Sequence, residues 1–188
     1  MSKGFDPDND LVALCRSLPF PIIAAINGAC YTGGLELALA CDVLIAADDA
    51  QFCDTHAKFG IAPSWGMSQR LPRLIGTHRA LEMSFSALPI GAQQAALWGL
   101  VNRVVPAHSL LAECATLARH MLASQPRLVT LYKQLVHEGS LMPLGAAASM
   151  ERDRAAAYYS TMTPQQFAAM KAFVSRGREG KAPAKAKL

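Results

Sequence analysis

A chain of 188 residues, 52% apolar and 17% charged, holds enough hydrophobic material for one globular domain and too little length for two ordinary ones. Its net charge of +4 does not indicate a nucleic-acid groove, because residues 171–188 carry six Lys/Arg against Glu179 alone and leave the rest of the chain at −1. The five cysteines are odd in number, scattered and without a C-x-x-C pair, which argues for a reducing compartment; residues 1–10 lack the charge and apolar run of a secretory signal.

Taken in chain order, Ile22 to Ile26 is a short β-compatible run ended by Asn27-Gly28. Gly33-Gly34 then opens an Ala/Leu-rich segment through Ala40 that reads as a buried helix. The longest uncharged stretch, Ser17 to Leu35, is too often broken by Pro and Gly to span a membrane. Strand character returns over Val43 to Ala46 and, after the Asp48-Asp49 turn, over Ala50 to Cys53. A helix is predicted from Ser64 to Ile75, with Ser64 as N-cap and Gly76 as the stop. Beyond it the pattern is helical over 78–87, 92–98, 108–123, 127–138, 145–159 and 164–174, interrupted by an extended piece at Val101 to Val105. Short strands with intervening helices followed by helices alone describe an α/β class with a helical C-terminal extension. From Gly177 to Leu188 the composition predicts a disordered basic tail.

One carboxylate, Glu36, interrupts the otherwise apolar stretch from Gly28 to Cys41. Gly33 and Glu36 are three apart at a predicted helix start, so one ligand could meet both the Gly33 N–H and the Glu36 carboxylate. An N–H aimed at a thioester oxygen stabilises enolate-like charge, and a desolvated carboxylate handles a proton or a water. The alternative is a tight turn followed by a solvated helix residue, and those six residues alone leave the two about even. The five histidines are spread without an H-E-x-x-H pattern, so no metal set emerges. A Cys53/His56 thiol nucleophile is disfavoured, because an i, i+3 pair on an extended segment points to opposite faces.

The succession Pro21-Ile22-Ile23-Ala24-Ala25-Ile26-Asn27-Gly28, Gly33-Gly34-x-Glu36-Leu37-Ala38, Cys41-Asp42, Ala50-x-Phe52 and Gly60-x-x-Pro63-x-x-Gly66-x-x-Gln69-Arg70-Leu71-Pro72 resembles the crotonase family in order and spacing. Gly99-Leu100-Val101-Asn102-x-Val104-Val105-Pro106 extends the likeness, which runs from about Leu14 to Val174. The resemblance implies a crotonase (ClpP-like) spiral of short strands and helices over residues 1–176, with core motifs at 21–76 and a helical region at 107–176. It further implies that Gly33 supplies an oxyanion-hole N–H, that Glu36 is the first of the two glutamates that hydrate an enoyl thioester, and that Gly34, Pro63 and Gly66 border the substrate. The family's second glutamate falls at position 56, where this chain has His56. Histidine works as a general acid or base near neutral pH, with Asp54 two residues earlier on the same side of a strand to orient it; a role as pocket wall is the alternative. Trp65 and Met67 stand where family members often carry small residues, and read as core packing ahead of a narrowed acyl pocket.

Phe173 and Arg176 fall near family positions that contact the adenine and phosphates of CoA. The family pattern places several tens of residues before the Pro21 strand, so the N-terminal part of the spiral is expected to be absent, with impaired turnover. Ala186-Lys187-Leu188 has the form of a peroxisomal address read by an import receptor, with the cytoplasm as the alternative location. The expected activity is hydration of a 2-enoyl-CoA in fatty-acid β-oxidation by a homotrimer or homohexamer. CoA enters as part of the substrate, with no separate cofactor, nucleic acid or membrane span. The alternatives are double-bond isomerisation on the same enolate, or an acyl-CoA-binding or assembly subunit without turnover.

Overall fold

The computed structural model describes residues 10–168 and 172 of the chain. Contacts divide it into two compact units, one ending at Gln134 and one beginning at Leu135.

The first unit opens with α1 (Leu11–Ser17), whose start is fixed by the Asp10 carboxylate accepting the Val12 and Ala13 N–H groups, each at 3.0 Å. The chain then enters β1 (Ile23–Ile26), β2 (Ala29–Tyr31), α2 (Gly33–Ala38), β3 (Val43–Ala47) and β4 (Gln51–Cys53). It continues through α3 (His56–Phe59), α4 (Met67–Ile75), α5 (Thr77–Ser86), β5 (Ile90–Gly91), α6 (Ala92–Trp98), β6 (Arg103–Val105), a 3₁₀ turn and α7 (Leu110–Leu122). The division between the units falls within α8 (Pro126–Gly139).

Two three-stranded sheets organise this unit. In one, β3 lies between β1 and β6 and pairs with both in parallel; in the other, β4 lies between β2 and β5, parallel to the first and antiparallel to the second. Strand β3 shows why the sequence runs apolar without alternation. Leu44 and Ala46 face a core that includes Ile26, Leu35, Phe52, Met67 and Leu71, while Ile45 and Ala47 face a second cluster with Leu110. Side chains alternate faces along a strand, so a strand covered on both sides must be apolar at every position. Asn102 docks the final strand, its amide oxygen accepting the Leu44 N–H and its own N–H meeting the Leu44 carbonyl, both at 2.8 Å.

The second unit contains α9 (Leu144–Tyr159) and a helical stretch over 164–168. Within it, Arg154 holds both carboxylate oxygens of Glu138 in a fork-to-fork pair.

Two local expectations fail. The helix predicted from Ser64 begins at Met67, with Gly66 as its left-handed entry residue at φ +106° and no side-chain cap from its own loop. Its N-terminal donors are taken by a carboxylate from another element, described below. The segment around His56 is not a strand either, because β4 ends at Cys53 and His56 is the first residue of α3.

Candidate active site

Helix α2 brings Glu36 into the core of the first unit, where it is 2% exposed. Its Oε1 accepts two backbone N–H groups, from Trp65 at 2.9 Å and from Met67 at 3.1 Å. Glu36 thereby does for α4 what an N-cap side chain does, placing a negative charge at the positive end of that helix. This replaces the expected Ser64 cap and explains why the helix starts three residues late. It also divides the carboxylate: one oxygen is tied to backbone, and Oε2 is turned toward the His56 Nε2 at 3.6 Å.

His56 is 6% exposed, and its other ring nitrogen lies 2.6 Å from Asp54 Oδ1. Asp54, 3% exposed, accepts the His56 backbone N–H on the same oxygen at 3.1 Å and the Ser84 hydroxyl on Oδ2 at 2.7 Å. The expected Asp54–His56 contact is therefore present, although it is made by a turn entering α3 and not by strand alternation. Ser84, Asp54, His56 and Glu36 form a continuous polar chain through an otherwise apolar interior. Every buried side-chain nitrogen and oxygen among the described residues has a partner, as such burial requires.

Gly33 is the first residue of α2, so its N–H lacks an i−4 partner within the helix. The preceding Thr32 is held at φ +49°, a sparsely populated conformation for a branched residue. Its N–H donates to the Cys53 carbonyl at 2.9 Å, its Oγ1 accepts the Thr55 N–H at 3.2 Å, and the two threonine hydroxyls meet directly. These contacts over-determine the turn that sets the start of α2. A side chain at Gly33 would meet the Trp65 ring at 3.7 Å, so that indole borders the helix start.

A cavity of about 290 Å³ opens on Asp54, His56 and Ser84, with Ile61, Pro63, Met67, Leu71, Leu81 and Phe85 among its apolar walls. Pro63 lines this space. Gly34 is exposed, and Gly66 acts through its backbone angle. Phe173, Arg176 and Ala186-Lys187-Leu188 lie outside the described residues. Cys53 does not join the site: its thiol donates to the Ala87 carbonyl at 3.2 Å, and burial pushes its pKa up, away from a reactive thiolate. Among the described residues no group of three or more His, Cys, Asp or Glu side chains is arranged to hold a metal ion, and no helix is long and apolar enough to cross a membrane.

Sequence reasoning missed Ser84, which lies thirty residues from Asp54 in a segment, 78–87, read only as a helix. It also weighed Trp65 and Met67 by their side chains, whereas their backbone N–H groups fix Glu36. The offset between Gly66 and the predicted helix start was the one available signal.

A buried carboxylate facing a buried imidazole, the latter backed by a second carboxylate and bordering a largely apolar cavity, is equipped to take and return protons. The model of the enoyl-CoA hydratase/isomerase family matches residues 5–180, and the chain belongs to that family. It is 44% identical over 178 residues to a protein of Arabidopsis thaliana named probable enoyl-CoA hydratase 1, peroxisomal, covering 95% of this chain and 67% of that one. A crotonyl-CoA hydratase of Syntrophomonas wolfei is 36% identical, over 87% of this chain and 62% of its own length. The crystal structure of an enoyl-CoA hydratase from Bacillus anthracis superposes with a TM-score of 0.79 at 37% identity, over 88% of this chain and 63% of that one. The fold is accordingly the crotonase fold, and the chain spans about two thirds of the length of these relatives.

Proposed function

We propose that this protein hydrates a 2-enoyl-CoA thioester, with Glu36 and His56 as the acid–base pair and the Gly33 N–H as a donor to the thioester oxygen. The observation that carries the reading is the division of the Glu36 carboxylate, with Oε1 held by two N–H groups and Oε2 set 3.6 Å from His56 Nε2. A water within about 2.8 Å of both atoms has its lone pair free to attack Cβ of the enoyl group.

In this mechanism water gives hydroxide to Cβ and one proton to Glu36 Oε2, while electrons of the double bond move toward the thioester carbonyl. Glu36 passes that proton across the short gap to the bare Nε2 of His56, 3.6 Å away, and His56 delivers it to Cα as the enolate collapses. Glu36 is then again a carboxylate and His56 again neutral, so atoms and charge balance without another reactant. The Gly33 N–H lowers the barrier only where negative charge develops on the carbonyl oxygen. Apolar walls at Ile61, Leu71 and Phe85 suit an acyl tail, and CoA arrives as part of the substrate.

The names of the Arabidopsis and Syntrophomonas relatives support this activity. The Arabidopsis name also supports a peroxisomal location, for which residues 177–188 fused to a fluorescent protein provide the test; diffuse cytosolic signal would count against it. A homotrimer or homohexamer follows from the family resemblance and is checked by light scattering. For the activity, purified protein is mixed with a 2-enoyl-CoA. The enoyl-thioester absorbance should fall as 3-hydroxyacyl-CoA accumulates, and constant absorbance with intact substrate overturns the proposal.

A further inference from the structure

We propose that Ser84 and Asp54 are positioning residues that fix the tautomer of His56, so that Nε2 is its one exchangeable ring position at the reacting centre. This rests on the acid–base reading of Glu36 and His56 and deepens it.

Three contacts converge on one carboxylate. Asp54 Oδ1 receives the His56 N–H at 3.1 Å and faces Nδ1 at 2.6 Å, while Oδ2 receives the Ser84 hydroxyl at 2.7 Å. Because Oδ1 already accepts the backbone N–H, it meets Nδ1 as an acceptor too, and the hydrogen-bond network assigns that proton to Nδ1. A neutral imidazole then presents a bare Nε2 lone pair toward Glu36 Oε2, 3.6 Å away. Two bare acceptors at that spacing repel unless a proton or a hydrogen-bonding water serves both, so the site favours the one mobile proton that hydration must relay.

Ser84 contributes direction. Asp54 lies in the turn between β4 and α3, whereas Ser84 belongs to α5, which packs against α3. The Ser84–Asp54 bond ties that turn to a neighbouring helix and stops the carboxylate from rotating about its terminal torsion, which is broad when unconstrained. The restraint is largely shielded from solvent, with Asp54 3% exposed. The hydroxyl's purpose on this argument is to hold Oδ1 against Nδ1, without touching substrate.

The test is made on the full chain labelled with ¹⁵N, reading the His56 ring nitrogens by NMR without substrate and assigning them with His56→Ala. Wild type should show the Nδ1–H tautomer. Ser84→Ala should yield a mixture of tautomers and lower kcat on the order of tenfold, with KM changed less than about threefold, because misorientation affects the transition state more than binding. Ser84→Thr keeps a hydroxyl and should restore both readouts. Asp54→Asn, with the proton acceptor's charge removed, should shift the tautomer further toward Nε2–H. A wild-type Nε2–H tautomer, or a Ser84→Ala protein with unchanged tautomer and kcat, overturns the proposal. Failure of the underlying acid–base reading is separable, since it would appear as full turnover in His56→Ala while the substrate-free tautomer was as expected.

Discussion

Glu36→Gln separates the chemical from the structural work of this carboxylate. Glutamine keeps an amide oxygen where Oε1 accepts the Trp65 and Met67 N–H groups, and sets its NH₂ where Oε2 faces His56 Nε2. Both contacts remain compatible with a neutral imidazole, so stability should change by no more than about 1 kcal/mol. The amide cannot take a proton from water. Removing a general base typically costs about 10²- to 10⁴-fold in rate, or roughly 2.7 to 5.4 kcal/mol at 1.36 kcal/mol per tenfold. Glu36→Ala differs because it strips the acceptor from two inward-facing N–H groups, each costing about 1–3 kcal/mol when left unpaired. Thermal melts beside initial rates of 2-enoyl-CoA consumption read the two effects independently. Turnover of Glu36→Gln within threefold of wild type would refute the assignment of Glu36 as base, and a melting loss equal to that of Glu36→Ala would refute the isosteric argument.

Other positions test the supporting structure. Gly66→Ala forces a side chain into a backbone with φ +106° and within 2.9 Å of the Arg70 guanidinium nitrogen, which should cost about 1–3 kcal/mol in a urea melt and lower kcat by shifting the flanking N–H donors. Lys133→Met removes the buried cation 2.8 Å from Asp42, and breaking such a pair should destabilise by about 3–5 kcal/mol in the same measurement. Phe85→Asp places a charge on the rim of the apolar cavity and should raise KM for a long-chain 2-enoyl-CoA more than for a four-carbon one. Burial pushes the Cys30 thiol from an ordinary value of 9.0 up to about 11, so the unfolded chain ionises first as pH rises. The corresponding stability is fully present below pH 9 and declines toward pH 11 by roughly 3 kcal/mol at most, and Cys30→Ala should flatten that part of the alkaline melting curve.

The parts of this fold legible in the sequence are those dictated by local chemistry. The β1 and β3 runs, the α6 boundaries at Ala92 and Trp98, and the stop of α4 at Gly76 follow from apolar pattern and glycine. Strand β2 was not legible, because Ala29-Cys30-Tyr31 is short and becomes a strand only by pairing with Gln51-Phe52-Cys53 twenty-two residues later. The two-residue β5 depends likewise on its antiparallel partner β4. The start of α4 misled for a related reason: Ser64 is a good cap by propensity, but the donors it would serve belong to Glu36.

That displaced cap links the legibility of the site to its chemistry. Glu36 could be singled out because a lone carboxylate in an apolar run needs a reason to be there, yet its partners are backbone N–H groups that every residue type carries. Only tertiary structure chooses which backbone groups converge. The same holds for Ser84, a common residue on a helix whose identity matters through one bond to Asp54. A side chain whose second oxygen must do chemistry is best immobilised through its first, and backbone donors are rigid where side-chain donors would carry rotamer freedom. The late start of α4 and the left-handed Gly66 are thus connected to the orientation of Glu36. Restoring a self-capped helix from Ser64 would draw the Trp65 and Met67 N–H groups away and free the carboxylate to swing from His56.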